Sequence, residues 1–330
     1  MRKEWKRGDL LSVSSAYWRG CALQAGVRLG IFTALGLASL TGEEVAQAVG
    51  GDNRATCLLL DALAGMGLLE KQHDRYGNSK TAQELLIAGS PDYIGHIILH
   101  HHHILDGWAQ LDQAVVSGGP VQRRHYGAEI ERESFLMGMF NLAMGVAPIV
   151  AGQLPLAGRR RLLDLGGGPG TYAIHFCLAH PDLQAVIYDR PTTAPFARET
   201  VEKFGLTGRI DFHPGDFTCD PIDGGPYDAA WLSHILHSNS FEQCQLVIDK
   251  TAAAMTTGGI IMVHDFILDN TKDSPEFATL FSLNMLINNG HGRSYSEEEI
   301  GGMLVKAGFG RIERLALRTP NDSSVMIGVK

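Results

Sequence analysis

Leu162-Leu163-Asp164-Leu165-Gly166-Gly167-Gly168-Pro169-Gly170-Thr171-Tyr172 is the stretch whose reading decides the fold. A short apolar strand runs into an acid, a glycine turn and the start of a helix. Glycines let the backbone approach a ligand closely, and a helix N-terminus behind them presents unpaired N–H groups. Spacing separates the ligand classes. A dinucleotide turn asks for G-x-G-x-x-G, whereas Gly166, Gly168 and Gly170 give G-x-G-x-G, with Asp164 two residues before the first glycine.

Two further acids follow at strand ends. Ala185-Val186-Ile187-Tyr188-Asp189 is a second apolar run closing on an acid placed to accept from ribose hydroxyls, with Arg190 beside it. Arg209-Ile210-Asp211-Phe212-His213 leads to Gly215-Asp216-Phe217, where an acid can accept from an adenine amine while Phe217 packs on the ring. A nicotinamide-dependent dehydrogenase would use the first two acids and has no need of the third. D-x-G-x-G-x-G with three such acids instead suits S-adenosylmethionine (SAM), whose amino-acid end needs amide donors and a carboxylate. The expected cofactor residues are Asp164, Gly166, Gly167, Gly168, Asp189, Arg190, Asp216, Phe217 and Ser233.

The rest of the chain bounds the class. Its 330 residues suffice for two domains with a substantial core. A formal charge of −8 argues against a nucleic-acid partner, which wants a basic face. Cys21, Cys57, Cys177, Cys219 and Cys244 are scattered without C-x-x-C spacing, as expected for reduced thiols in a cytoplasmic protein. Arg2, Lys3, Lys6 and Arg7 make the N-terminus basic, but no signal-peptide core follows. The apolar stretch 23–40 is interrupted by Arg28 and glycines and is too short to span a bilayer.

Residues 1–150 read as a mainly helical, winged-helix-like domain, with helices near 15–37, 42–49, 54–66, 81–88, 92–117 and 132–151. Between the third and fourth, Gly67-Leu68-Leu69-Glu70-Lys71 and Asp74-Arg75-Tyr76-Gly77-Asn78 suggest two short strands. The helix from Asn53 is apolar and carries almost no base-reading side chains, which makes this a packing or dimerisation module rather than a DNA reader. Residues 151–330 alternate strands (160–165, 185–189, 208–213, 226–232, 258–268, 311–317, 323–329) with helices (170–180, 193–204, 241–255, 275–288, 296–307). That is an α/β, doubly wound, mainly parallel seven-stranded sheet closing on an antiparallel pair. Ligand and chemistry belong at the carboxyl ends of its strands.

The fourth strand of that sheet runs into Ser233-His234-Ile235-Leu236-His237. Methyl transfer is an in-line displacement, and a phenol acceptor (pKa near ~10) needs a base at neutral pH. His237 is the expected base, with His234 lining the cofactor pocket. Asp265, at the end of the fifth strand, is the leading candidate to orient the imidazole, with a mere turn acid opening the loop to Asp269 as the alternative reading. His96, His100 and His103 share one helix face, but no acid or cysteine completes a metal site and the displacement needs no metal. Trp108, Phe140, Asn141 and Met144 are candidate acceptor-pocket residues, with ordinary helix core as the alternative, which would suit Phe140 and Met144 equally.

Taken together, these motifs resemble the small-molecule O-methyltransferase family that includes plant caffeic-acid and bacterial hydroxyindole and polyketide enzymes. Gly30-Ile31-Phe32-Thr33-Ala34-Leu35 and Thr41-Gly42-Glu43-Glu44-Val45-Ala46 resemble its dimerisation domain. Phe135-Leu136-Met137-Gly138-Met139 resembles its F-x-x-G-M segment, which implies that Met139 faces SAM. His237, with Cys244 seven residues on, falls at the general base of its H-D-W-x-D-x-x-C run, and Asp265 at its flanking carboxylate. Asn289-Gly290-His291-Gly292-Arg293 resembles its substrate-side N-x-G-G-K/R turn, implying acceptor contacts from Asn289 and Arg293. The chain departs from the family where H-D-W is His237-Ser238-Asn239, where a lysine is often Ser233, and where a second glutamate is Ser294.

The resemblance implies a class I methyltransferase fold and a homodimer whose helical domain contributes to the substrate pocket. It implies transfer of the SAM methyl to a hydroxyl of an aromatic small molecule, with S-adenosylhomocysteine as product. C-methylation of a conjugated ring such as a tetrapyrrole, and a SAM-binding protein with lost or altered catalysis, remain the alternatives.

Overall fold

The computed structural model describes residues 4–315, 317, 319 and 322–330. Arg2 and Lys3 of the basic N-terminus, and Ala316 in the expected strand 311–317, lie outside them. The chain forms two compact units: residues 1–105 with 125–141, and residues 106–124 with 142–330.

The first unit opens with α1 (Arg7–Ser14), α2 (Tyr17–Arg28) and α3 (Ile31–Leu35). The single helix expected over 15–37 is broken because Gly30 takes a left-handed φ of 73°. A strand the sequence reading missed, β1 (Ser39–Thr41), precedes α4 (Gly42–Val49) and α5 (Asn53–Gly65). Thr41 and Glu44 close a capping box on α4, and Asp52 caps α5 through the Ala55 N–H at 2.8 Å. β2 (Leu69–Gln72) and β3 (Arg75–Asn78) pair antiparallel, and β3 also pairs with β1, giving a three-stranded wing. α6 (Lys80–Leu85) follows.

Its core gathers Ile31, Phe32, Leu35, Val45, Leu60, Leu63 and Tyr76. The expected helix 92–117 is two: α7 (Gly95–Trp108) and α8 (Leu111–Ser117). The histidine run on α7 is partly packing, since His103 is buried and stacks on Tyr126 at 4.6 Å. α9 (Ala128–Ala151) is the one helix among the described residues with the length and apolarity of a membrane span. Its last turns bury Val146, Ala147, Val150 and Ala151 in the core of the second unit.

The second unit is built on β4 (Arg161–Leu165), α10 (Thr171–Ala179), β5 (Gln184–Asp189), α11 (Ala194–Lys203), β6 (Ile210–Pro214) and β7 (Tyr227–Ser233). Then come α12 (Phe241–Ala253), β8 (Met255–Asp265), α13 (Glu276–Asn288), α14 (Glu297–Lys306), β9 (Gly310–Leu315) and β10 (Ser324–Val329). The sheet runs β6-β5-β4-β7-β8-β10-β9, parallel except for β10, which is antiparallel to both β8 and β9. This is the class I methyltransferase sheet. Strand order reverses beside β4, so the ends of β4, β5 and β7 open onto a crevice.

Side-chain alternation along the strands sorts the core onto two faces. Leu162, Ile187, Trp231 and Met262 pack on one side with Phe176 of α10. Leu163, Leu165, Leu232, Ile261 and Val263 pack on the other with Val247 of α12 and Met303 of α14. The same alternation sends His264 to the face of Trp231, on which it stacks at 5.1 Å, and Asp265 to the opposite face. Asp265 therefore ends among the residues that follow β7.

Candidate active site

The glycine turn after β4 surrounds a buried acid. Asp164 is fully buried, its Oδ2 accepts the Ala173 N–H at 3.2 Å, and its Oδ1 has no partner. Burial, with the nearby Asp189 charge, pushes its carboxyl up to about 7. A Cβ on Gly167 would lie 2.6 Å from the Asp164 Cγ, so only glycine lets the turn come this close. At Gly168, which has a left-handed φ of 55°, an added Cβ would meet open space. A buried acid with an unpartnered oxygen beside a glycine turn has the chemistry to accept from a cationic group such as an ammonium.

Around the turn the other expected cofactor residues assemble. The Gly168 N–H donates to Asp189 Oδ2 at 2.8 Å, while Asp189 Oδ1 accepts from the Arg190 N–H and from Thr193 Oγ1. Arg190 lies 3.6 Å from Asp216. The Thr218 hydroxyl and N–H both donate to Asp216 and hold its carboxyl below the usual range. Phe217 packs beside Gly166. Ser233, by contrast, turns away to His264 Nδ1 at 2.9 Å. His264 is fully buried between Ser233 and Ser323, and burial keeps it neutral.

Beyond β7 a short 3-10 turn, Leu236–Ser238, carries His237. Its Nδ1 lies 2.6 Å from Asp265 Oδ1, and its backbone N–H donates to Asp265 Oδ2 at 3.2 Å. The Phe266 N–H also donates to Asp265 Oδ1, at 2.9 Å. Burial would raise the Asp265 carboxyl, but His237 and His234 outweigh it and hold the acid far below the usual range. An ionised Asp265 at Nδ1 fixes the tautomer that leaves Nε2 as proton acceptor. His234 sits nearby with a left-handed φ of 58° and its Nδ1 3.6 Å from Asp265.

The turn's carbonyls are tied down one by one. Cys244 Sγ–H donates to the Leu236 carbonyl at 3.2 Å, and burial, which pushes that thiol up to about 12, preserves the proton it donates. Asn289 Nδ2 donates to the Ser238 carbonyl at 2.7 Å, and the Tyr295 hydroxyl to the Asn239 carbonyl at 2.6 Å. A Cβ on Gly292 would run into the His237 carbonyl oxygen. Asn289 is thus engaged with the His237 turn, and its Oδ1 caps its own turn through the His291 and Gly292 N–H groups. The Arg293 guanidinium is taken up by Glu299 at 2.9 Å and lies 4.4 Å over the Tyr295 ring.

Of the expected acceptor residues, Trp108 donates to Asn284 Oδ1 at 3.1 Å, and Met144 Sδ lies 3.5 Å from His175. Within the first unit, Met139 packs on the core, Phe140 is half-buried, and Asn141 donates to the Tyr93 carbonyl at 2.7 Å. Sequence reasoning missed the aromatic wall beside the imidazoles. Phe281 stands edge-on to His237 at 4.8 Å, and Phe266 lies 4.6 Å from His234. Phe266 and Phe281 contact each other at 4.5 Å, and Phe277 adjoins Phe266. Phe277 and Phe281 are four apart on α13, a spacing that could have signalled the wall.

Residues 102–310 match the family model of the O-methyltransferase domain, and residues 11–88 that of the O-methyltransferase dimerisation domain. The 3-hydroxy-5-methyl-1-naphthoate 3-O-methyltransferase of Streptomyces sahachiroi is 32% identical over 97% of this chain and 94% of its own. An O-methyltransferase family protein from Burkholderia thailandensis superposes with a TM-score of 0.86 at 28% identity, covering 99% of each chain. Human N-acetylserotonin methyltransferase in complex with SAM shares the fold, with a TM-score of 0.87 at 24% identity over 100% of this chain and 99% of that one. With both parts of its architecture matched in sequence and in fold, the chain belongs to the family of SAM-dependent O-methyltransferases.

Proposed function

We propose that the enzyme methylates a hydroxyl on an aromatic small molecule, with His237 as general base and Asp265 as the residue that orients and charges it. The observation that carries this reading is the 2.6 Å contact between His237 Nδ1 and an Asp265 carboxylate fixed by two backbone N–H groups. SAM supplies an electrophilic methyl when bound; Asp164, the turn 166–168, Asp189, Asp216 and Phe217 are the residues we assign to hold it. The protein's own work is to bind the acceptor, to take its hydroxyl proton at His237 Nε2, and to stabilise the resulting imidazolium with Asp265.

The wall of Phe266, Phe277 and Phe281 supports a flat, conjugated acceptor, because aromatic rings prefer edge-to-face and offset partners. Hydroxylated naphthoates are the first class to test, as the Streptomyces relative is named for one. We assign the first unit to homodimerisation and place the enzyme in the cytoplasm, a reading supported by five free cysteines. The test is incubation of the enzyme with SAM and a panel of hydroxynaphthoates and other phenols, with products identified by mass and NMR. A methyl ether is the expected product. A ring-carbon methyl would overturn the hydroxyl assignment, and S-adenosylhomocysteine binding without turnover of any acceptor would favour a protein that keeps SAM for another purpose.

A further inference from the structure

Among the described residues, His234, His237 and Asp265 bring one potential ligand atom each to within 4.8 Å of one another. They come from two segments of the second unit: the residues after β7 and the last residue of β8. His237 Nδ1 is 2.6 Å and His234 Nδ1 3.6 Å from the same oxygen, Asp265 Oδ1. The His234 Nδ1 is buried without a hydrogen-bond partner. A buried polar nitrogen left unpaired is costly. The oxygen that both nitrogens approach belongs to a carboxylate only 4% exposed.

We propose that these three side chains form a binding site for a divalent transition metal of the zinc type, and that filling it switches the enzyme off. The donor set is the borderline one that zinc takes: two imidazole nitrogens and a carboxylate oxygen. Around such an ion the donor atoms stand roughly 3.2–3.5 Å apart, which the present spacing reaches by side-chain adjustment of about an ångström. Asp265 stays fixed by the His237 and Phe266 N–H groups while the imidazoles adjust.

Inhibition follows from the proton count on one ring. In the free site Asp265 accepts from Nδ1–H, which leaves the Nε2 lone pair for the acceptor's proton. A metal at Nδ1 takes the lone pair there, so the single ring proton moves to Nε2. No proton is gained or lost by the neutral ring, but the base has no site left to accept one. This consequence rests on the role proposed for His237; metal binding itself does not.

The test is titration of zinc chloride into metal-free, untagged full-length enzyme by calorimetry, beside a methyl-transfer assay with and without a chelator. Wild type, His234→Gln and a His101→Gln control are compared, the last because His101, the exposed member of the histidine run, can bind zinc on its own. We expect His234→Gln to bind zinc at least about tenfold more weakly and to lose zinc inhibition by the same factor. The control should retain both, and chelation should restore wild-type activity. Circular dichroism checks the fold, and His234→Asn replaces the glutamine variant if that does not fold. Zinc binding unchanged in the His234 variants, or lost only in the control, would overturn the site. Zinc binding that depends on His234 in an enzyme that methylates no phenol would keep the site and remove the proposed base role.

Discussion

Asp164 carries the sharpest electrostatic signature in the cofactor crevice. Its carboxyl sits at about 7 because burial and the Asp189 charge both disfavour ionisation. An unfolded aspartate titrates near ~3.9, so the stabilising contribution of this group is present at low pH and is lost as the pH rises through about 7. A cation settling against its free Oδ1 reverses the balance and drives the proton off. Binding of SAM or S-adenosylhomocysteine at pH 6 should therefore release close to one proton, seen as a calorimetric enthalpy that varies with buffer ionisation heat. Asp164→Asn should abolish the release, and a buffer-independent enthalpy in the wild type would refute the role given to the acid.

At the scale of elements, the turn 289–293 braces the backbone that carries His237, the residue proposed as base. Asn289 holds the Ser238 carbonyl and Tyr295 that of Asn239, while Gly292, lacking a Cβ, lets the chain pass close to the His237 carbonyl. Behind them Arg293 and Lys272 converge on Glu299; burial opposes its ionisation, yet the two cations bring it down to about 2. Asn289→Ala should let the His237 turn drift and lower kcat by about tenfold to a hundredfold, with the KM for SAM unchanged. A raised KM for the acceptor with kcat intact would instead mean that Asn289 binds substrate.

This division also explains what the sequence disclosed. Asp164, Asp189 and Asp216 stand out because strand, acid and turn are adjacent in the chain, and strand alternation puts Asp265 at its edge. The task of Asn289 is fixed by Ser238, 51 residues earlier, which no local pattern records. The wing strand β1 escaped notice because three residues carry too little periodicity. The break at Gly30 turns on one backbone angle. The closing antiparallel pair, by contrast, was legible from the lack of a helix between its strands.

For the whole molecule, the N-terminal helix stands out among the described residues for its exposure. α1 buries none of its residues, and Leu10, Leu11, Val13, Tyr17 and Trp18 are 57–65% exposed. Contiguous apolar surface of this kind marks an association face, and this segment begins the matched dimerisation domain. Sedimentation velocity should give a species of twice the 35.8 kDa chain mass. Leu11→Glu with Trp18→Glu should shift it to monomer; a dimer that persists would place the interface elsewhere.

The most direct measurement is the single-turnover rate of phenol methylation by His237→Ala at saturating SAM, beside S-adenosylhomocysteine affinity for the same variant. The rate should fall by about 10²–10⁴-fold with the affinity unchanged, the loss expected when a positioned base is removed. A variant that turns over at the wild-type rate would contradict His237 as the base.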